Sequence, residues 1–143
     1  MRIDKKLLVP IAMLSIVTIG GAYAFLSLTV TTTLNISDPL SIVAVTGTDA
    51  LADITCTTTA ATATCSADAS AGESGRINVM VANGGLNGIL VTASSTSSST
   101  DVEVAGPTPA GVPAGGTFEF VFDVSILEGA TPGPVTLTLN FER

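Results

Sequence analysis

The sequence predicts an all-β protein, a two-sheet β-sandwich of the jelly-roll or immunoglobulin-like type preceded by an N-terminal hydrophobic signal helix. Apolar and polar residues alternate with a period of two in several stretches, which is typical of strands with one buried face. Threonine and valine are frequent, and their branched Cβ favours strands. The chain has 143 residues, which is enough for one domain.

The first 24 residues have the three parts of a secretory signal peptide. Arg2, Lys5 and Lys6 form a basic start, and residues 7–20 are an apolar stretch. Residues 22–24, Ala-Tyr-Ala, then place small side chains at the two positions that a signal peptidase reads. We therefore expect cleavage after residue 24 and secretion of residues 25–143 to the extracellular side.

Two other interpretations of this segment stay open. Residues 7–30 are long enough to cross a bilayer, which needs about 20 residues, so they could instead form a retained membrane anchor. A pilin-type leader is usually cut after a glycine that follows the basic cluster, whereas Lys6 leads directly into Leu7. In each case the basic cluster keeps the N-terminus inside and places the rest of the chain outside.

The segment after the leader has the most regular strand pattern in the chain. Residues 25–37 alternate without a glycine or proline and end at Asp38-Pro39, where proline lacks the N–H that a ladder needs. One face of this strand is apolar except for Thr32. Its apolar members are Leu26, Leu28, Val30, Leu34 and Ile36.

This first strand has two physical fates. It pairs within its own domain, or it fills a groove in the next subunit, where backbone bonds give affinity and alternating side chains occupy pockets. The second contact is head-to-tail and need not close, so it grows a filament. A strand usually has about 5–6 residues, so the length of this one favours the second fate. We expect its five apolar residues to be donor side chains, with Thr32 fixing the register.

Shorter strands are predicted in the middle of the chain, separated by turn residues. They are residues 41–45, 54–56, 63–65, 76–82, 89–93 and 101–105, of which 54–56 and 63–65 form a predicted hairpin. Residues 46–49 and 83–88 are predicted to turn. Residues 106–116 contain three prolines and four glycines and are predicted to be a surface loop.

The last two strands are predicted to pair as a hairpin that carries much of the core. Their inward residues are Phe118, Phe120, Phe122 and Val124 on one strand and Val135, Leu137, Leu139 and Phe141 on the other. Polar residues alternate with these and face outward.

Cys56 and Cys65 are the only cysteines, and in an exported chain two cysteines predict a disulfide. Asn35 begins an Asn-Ile-Ser sequon and is a candidate glycosylation site. Carboxylates with calcium-binding potential are Asp101, Glu103, Glu119, Asp123, Glu128 and Glu142. Because no calcium-loop signature surrounds them, a solvated surface is the simpler interpretation, and we predict no metal and no cofactor.

Composition excludes several functions. The chain has no histidine, which removes Ser-His-Asp and Cys-His catalytic sites and imidazole metal sites. Only five residues are basic and the formal net charge is −7, so the footprint of a nucleic-acid-binding protein is missing. We therefore predict neither an enzyme nor a nucleic-acid partner.

Residues 20–27, Gly-Gly-Ala-Tyr-Ala-Phe-Leu-Ser, are followed by a threonine-rich alternating strand. This junction resembles the TasA/camelysin family of secreted jelly-roll proteins, and above all its archaeal members that form bundling pili. Residues 113–118 and 135–141 resemble the last hairpin of such domains. The resemblance implies a structural subunit of an extracellular pilus or biofilm-matrix fibre, which polymerises with itself by N-terminal donor-strand exchange.

During export, the expected partners are the secretion machinery and a signal peptidase. The alternative is a membrane-anchored binding or adhesion domain at the cell surface, with residues 7–24 retained and the first strand folded in cis.

Overall fold

The structure, a computed structural model, describes residues 25–34 and 39–143. These residues are all-β and form two sheets packed as a β-sandwich, as predicted. The strands are β1 Phe25–Leu34, β2 Leu40–Asp49, β3 Thr55–Thr58, β4 Thr62–Ser70, β5 Ser74–Asn83, β6 Ile89–Ser97, β7 Val102–Ala105, β8 Ala110–Val112, β9 Thr117–Ile126 and β10 Gly133–Glu142. The predicted leader lies outside the described residues. Within them, no helix has the length and apolar character needed to span a membrane.

The two sheets have unequal size. The larger sheet has the strand order β3-β4-β1-β10-β6-β8, and the smaller has the order β2-β5-β9-β7. Among the described strands, the pair β1 and β10 is parallel and every other neighbouring pair is antiparallel. The first and last strands of the described chain therefore lie side by side in the middle of the larger sheet.

The core lies between the sheets, where alternate residues of each strand meet. The alternate residues Ile77, Val79 and Val81 of β5 are fully buried. Of the eight residues predicted to face inward on the last two strands, seven are buried. Phe118 is the exception, since it lies near the start of β9 and is 39% exposed.

Strands β9 and β10 do not form the predicted hairpin. β9 pairs with β5 and β7 in the smaller sheet, whereas β10 pairs with β1 and β6 in the larger sheet. Residues 127–132 carry the chain from one sheet to the other. Both strands have large apolar side chains. Because β9 and β10 lie in opposite sheets, these side chains pack against one another across the core.

Two predicted irregular segments contain strand. Residues 46–49 were predicted to turn but form the end of β2, paired with β5 up to Asp49 and Gly75. Gly47 is needed there because a Cβ at this position would overlap the carbonyl oxygen of Leu51. Part of the predicted loop 106–116 is β8, which pairs with β6 and buries Val112 completely.

Candidate assembly site around the first strand

Strand β1 is paired along both edges within its own chain. On one side it runs antiparallel to β4, from Phe25 opposite Ser70 to Thr33 opposite Thr62. On the other side it runs parallel to β10, ending with Leu34 opposite Phe141. In the described arrangement β1 therefore pairs in cis, within its own domain.

The side chains predicted to act as donors form part of the core. Leu26, Leu28 and Val30 are fully buried, and Leu34 is 5% exposed. Alternation thus places all four on one face, as the sequence pattern predicted. Ile36, the fifth, lies outside the described residues.

Thr32 occupies the same apolar face and is also fully buried. Within the described part of the chain, its Oγ1 atom has no hydrogen-bond partner. Its neighbours across the two ladders are Ala63 in β4 and Leu139 in β10, neither of which offers a polar side chain. Leaving a buried hydroxyl without a partner costs about 1–3 kcal/mol, so this position weakens the fit of β1 to its groove.

The predicted disulfide between Cys56 and Cys65 is present and joins β3 to β4. The two cysteines are direct ladder partners, and Cys65 is in turn the partner of Val30 in β1. The covalent link therefore braces the strand that forms one wall of the β1 groove. A brace at this position keeps β4 in place whichever chain supplies β1.

The outer face of the larger sheet is rich in hydroxyl groups. One row crosses five neighbouring strands in register, and its members are Thr57, Thr64, Thr31, Thr138 and Thr96. These side chains alternate with the buried ones and lie outside the core, and each is the ladder partner of the next along the row. They therefore offer positions for cross-links that report strand pairing without disturbing the core.

One end of the sandwich carries an apolar surface that the sequence analysis did not single out. We call it the apolar end and define it by Pro39, Leu86, Ile89, Leu90 and Arg143, which line an open depression of about 540 Å³. The sequence pattern predicts only a chain reversal for residues 83–88. The sequence does contain one indication of an exposed apolar residue here. Leu86 stands within the turn sequence Asn-Gly-Gly-Leu-Asn-Gly, where a polar residue would be ordinary.

The predicted carboxylates do not assemble into a cation site. Within residues 25–34 and 39–143, no three acidic or cysteine side chains are close enough together to hold a metal ion. Asp123 instead accepts a hydrogen bond from Arg76 Nε at 2.9 Å on the exposed face of the smaller sheet. Asn35 lies outside the described residues.

Comparisons with protein-family models, with curated proteins and with solved structures gave no match to this chain. The resemblance to the TasA/camelysin family therefore stays a prediction that rests on the quoted residues.

Proposed function

We propose that the protein is the structural subunit of an extracellular filament, a jelly-roll-type domain whose first strand completes the larger sheet of the next subunit. The observation that carries the proposal is the position of β1. The strand that comes first after the predicted cleavage site lies in the middle of the six-stranded sheet. A strand with a free end can leave such a position, whereas one with chain on both sides is held there.

The groove cannot stay empty. Without β1, strands β4 and β10 have unpaired edges, which are templates for another strand. The four buried apolar side chains of β1 contribute roughly 6–12 kcal/mol of gross burial at about 1.5–3 kcal/mol each. This groove is therefore filled either by the chain's own β1 or by the β1 of a neighbour.

The two ways of filling the groove involve the same contacts. Exchange of an identical element between subunits costs little in contact energy. The covalent tether of β1 to its own domain and the concentration of subunits therefore decide whether the groove is filled in cis or by a neighbour. A strand on a short tether has an effective concentration of the order of mM for its own groove, which favours pairing in cis in dilute solution. Filament growth therefore requires a local concentration of subunits during export that exceeds this effective concentration.

A second candidate function is supported by the pairing of β1 within its own chain. In that function, residues 7–24 are a retained anchor and the sandwich is a binding or adhesion domain at the cell surface. N-terminal sequencing of the exported protein separates the two. A chain that begins at Phe25 supports the filament, and an intact Met1 supports the anchored domain.

A cross-link on the outer face of the larger sheet tests which chain supplies β1. Thr31 in β1 and Thr64 in β4 are ladder partners with outward side chains, so the double variant Thr31→Cys/Thr64→Cys should form a disulfide across that pair. In a filament built by exchange, oxidation yields a ladder of covalent oligomers on a non-reducing denaturing gel. The matched control, Thr138→Cys/Thr96→Cys, joins β10 to β6 within one domain and should yield monomers only.

Electron microscopy is the second measurement in this experiment. Deletion of residues 25–37 should abolish the fibres seen by negative-stain electron microscopy. Monomers alone from Thr31→Cys/Thr64→Cys, together with fibre-free images of the wild type, would reject the filament in favour of the anchored domain. Fibres that persist in the deletion variant would reject strand exchange as the mode of assembly.

A further inference from the structure

We infer that the apolar end is the subunit contact surface, and that its partner is the apolar end of a second copy of this chain. The inference rests on the proposed function, because it follows from where an exchanged β1 must enter its acceptor. It adds which surfaces of two subunits meet and how the subunits are oriented.

The apolar end lies where β1 ends and β2 begins. Leu34, the last residue of β1, is opposite Phe141, two residues before Arg143. Pro39, the residue before β2, lines the depression of the apolar end together with Arg143. The exit of the groove and the start of the rest of the domain are thus at the same end of the sandwich.

The connection between β1 and β2 is too short to separate these points. Residues 35–38 join Leu34 to Pro39 in five residue steps, which span at most about 18 Å when fully extended. If β1 keeps its observed direction in the acceptor groove, Leu34 of the donor lies beside Phe141 of the acceptor. Pro39 of the donor must then lie within that reach, which brings the two apolar ends together.

The side chains at this end suit a contact between copies. Leu86 is 96% exposed and Leu90 is 64% exposed. Leu86 is held by a braced loop, because buried Asn83 donates from Nδ2 to the carbonyl oxygens of Asn87 at 2.8 Å and Val112 at 3.1 Å. The Oδ1 atom of Asn83 also accepts the Gly85 N–H at 2.9 Å. Two exposed leucines that line one depression, one of them on a braced loop, form an apolar surface of the kind that marks a contact site between proteins.

Charge favours the same surface. The chain has a formal net charge of −7, so copies repel one another wherever carboxylates face each other. Acidic residues concentrate at the opposite end of the sandwich, in and beside the turns that follow β2, β4, β6 and β9. They are Asp49, Asp53, Glu73, Asp101 and Glu128. Contact through the apolar ends keeps these five groups far apart, and the carboxylates nearer the apolar end are Glu119, in the first half of β9, and Glu142, which precedes Arg143.

This orientation has a structural consequence for the filament. Each subunit is the donor to one neighbour and the acceptor for another, so its apolar end meets two others. The apolar ends therefore gather along the filament axis, and the acidic ends point outward. Two copies that exchange with each other would instead give a closed pair, which differs from a filament in size.

Reversed insertion of β1 gives a different contact. Alternation places the same side chains inward in either direction, so the pattern alone does not choose between them. A reversed strand would bring the apolar end of the donor to the acidic end of the acceptor. Leu127, which is 44% exposed, lies at that acidic end.

Single cysteines at exposed positions distinguish these orientations. Leu86→Cys is placed at the apolar end and the matched control Leu127→Cys at the acidic end, both in the full chain. After assembly and mild oxidation, we expect most Leu86→Cys chains to run as disulfide-linked dimers on a non-reducing gel, and Leu127→Cys chains to run as monomers. Dimers that form only when the two variants are mixed would overturn the inference in favour of reversed insertion.

A second pair of variants measures how much the surface contributes. Leu86→Asp/Leu90→Asp should raise the concentration needed for half-maximal assembly at least about tenfold, with an unchanged melting temperature of the monomer. The control Leu127→Asp should change neither quantity. Normal assembly of the double variant would overturn this inference and leave the filament intact. A wild type that never assembles would overturn both proposals.

Discussion

The ring of Phe141 in β10 meets the ring of Phe120 in β9 edge to face, with centroids 5.2 Å apart. Phe122 also meets Phe141 edge to face, with centroids 5.9 Å apart, so one ring of the larger sheet lies against two of the smaller. Edge-to-face pairs contribute about 0.5–1.5 kcal/mol beyond the burial of their area. This cluster therefore joins the two sheets beside the end of β1, since Phe141 is also the ladder partner of Leu34.

We expect Phe141→Ala to lower the free energy of unfolding by about 3–5 kcal/mol, because it opens a cavity between the sheets. Phe118→Ala is the matched control. Phe118 contacts Phe120 at 5.0 Å but is 39% exposed, so its loss should cost less than half as much. Urea denaturation followed by circular dichroism measures both, and equal losses would contradict the central place given to Phe141.

Alternation in the sequence was enough to predict Phe120, Phe122 and Phe141 as core residues, but not which strands lie beside theirs. A period of two determines which face of a strand is buried, and both β9 and β10 obey it. It contains no information on which sheet a strand joins. That choice depends on contacts distant in sequence, such as Phe120 with Phe141, and the connection between the two strands is long enough for either arrangement.

Two other differences between the predicted and the observed strands occur at glycines and prolines. The sequence pattern predicts a turn at Gly47, whereas its lack of a side chain allows the backbone at Leu51 to approach β2 closely. The glycines and prolines of residues 106–116 concealed β8, which has only three residues. For the candidate site, the sequence predicted the buried face of β1 and the disulfide. The two strands that pair with β1, and the apolar end, became evident only in the three-dimensional structure.

Gly47→Ala tests this explanation of the close approach. A methyl group would overlap the Leu51 carbonyl and crowd Ile54, so the turn after β2 must shift. We expect the free energy of unfolding to fall by more than about 2 kcal/mol. The control is Gly111→Ala, where a Cβ meets no atom within 4 Å and stability should change by less than about 0.5 kcal/mol. Similar melting temperatures for the two variants would contradict the overlap.

Thr32→Val should stabilise the protein. The substitution replaces a buried hydroxyl that has no partner by a methyl group of the same shape, so about 1 kcal/mol of stability is gained. The control Thr31→Val alters the next residue, whose side chain faces outward, and should be close to neutral. If β1 must leave its groove to exchange, Thr32→Val should also slow assembly. A loss of stability in Thr32→Val would mean that the hydroxyl has a partner.

Removal of the disulfide should weaken the wall of the groove. The bond closes a loop with a sequence separation of 9 residues, for which the chain-entropy account gives about 2.5–3 kcal/mol. We expect Cys56→Ala/Cys65→Ala to lose about that much in urea denaturation. Reduced wild-type protein provides the comparison and should match the variant, since both lack the bond. A variant as stable as the oxidised wild type would show that the brace is not needed.

Resistance to trypsin follows from the few basic residues of the predicted mature chain. In residues 25–143, Arg76 is the only internal site for the enzyme. It lies in β5, which is paired on one side with β2 and on the other with β9, and its side chain bonds to Asp123. Cleavage needs an extended segment freed from such ladders, so it requires global or near-global unfolding.

We expect the native protein to stay intact under conditions in which heat-unfolded protein is cut into residues 25–76 and 77–143. The variant Gly129→Lys adds a site before Ala130 in the connection after β9, outside the ladders, and should be cut in the native state. Rapid native cleavage at Arg76 would show that the smaller sheet opens locally and that its central strand is not held as the pairing implies.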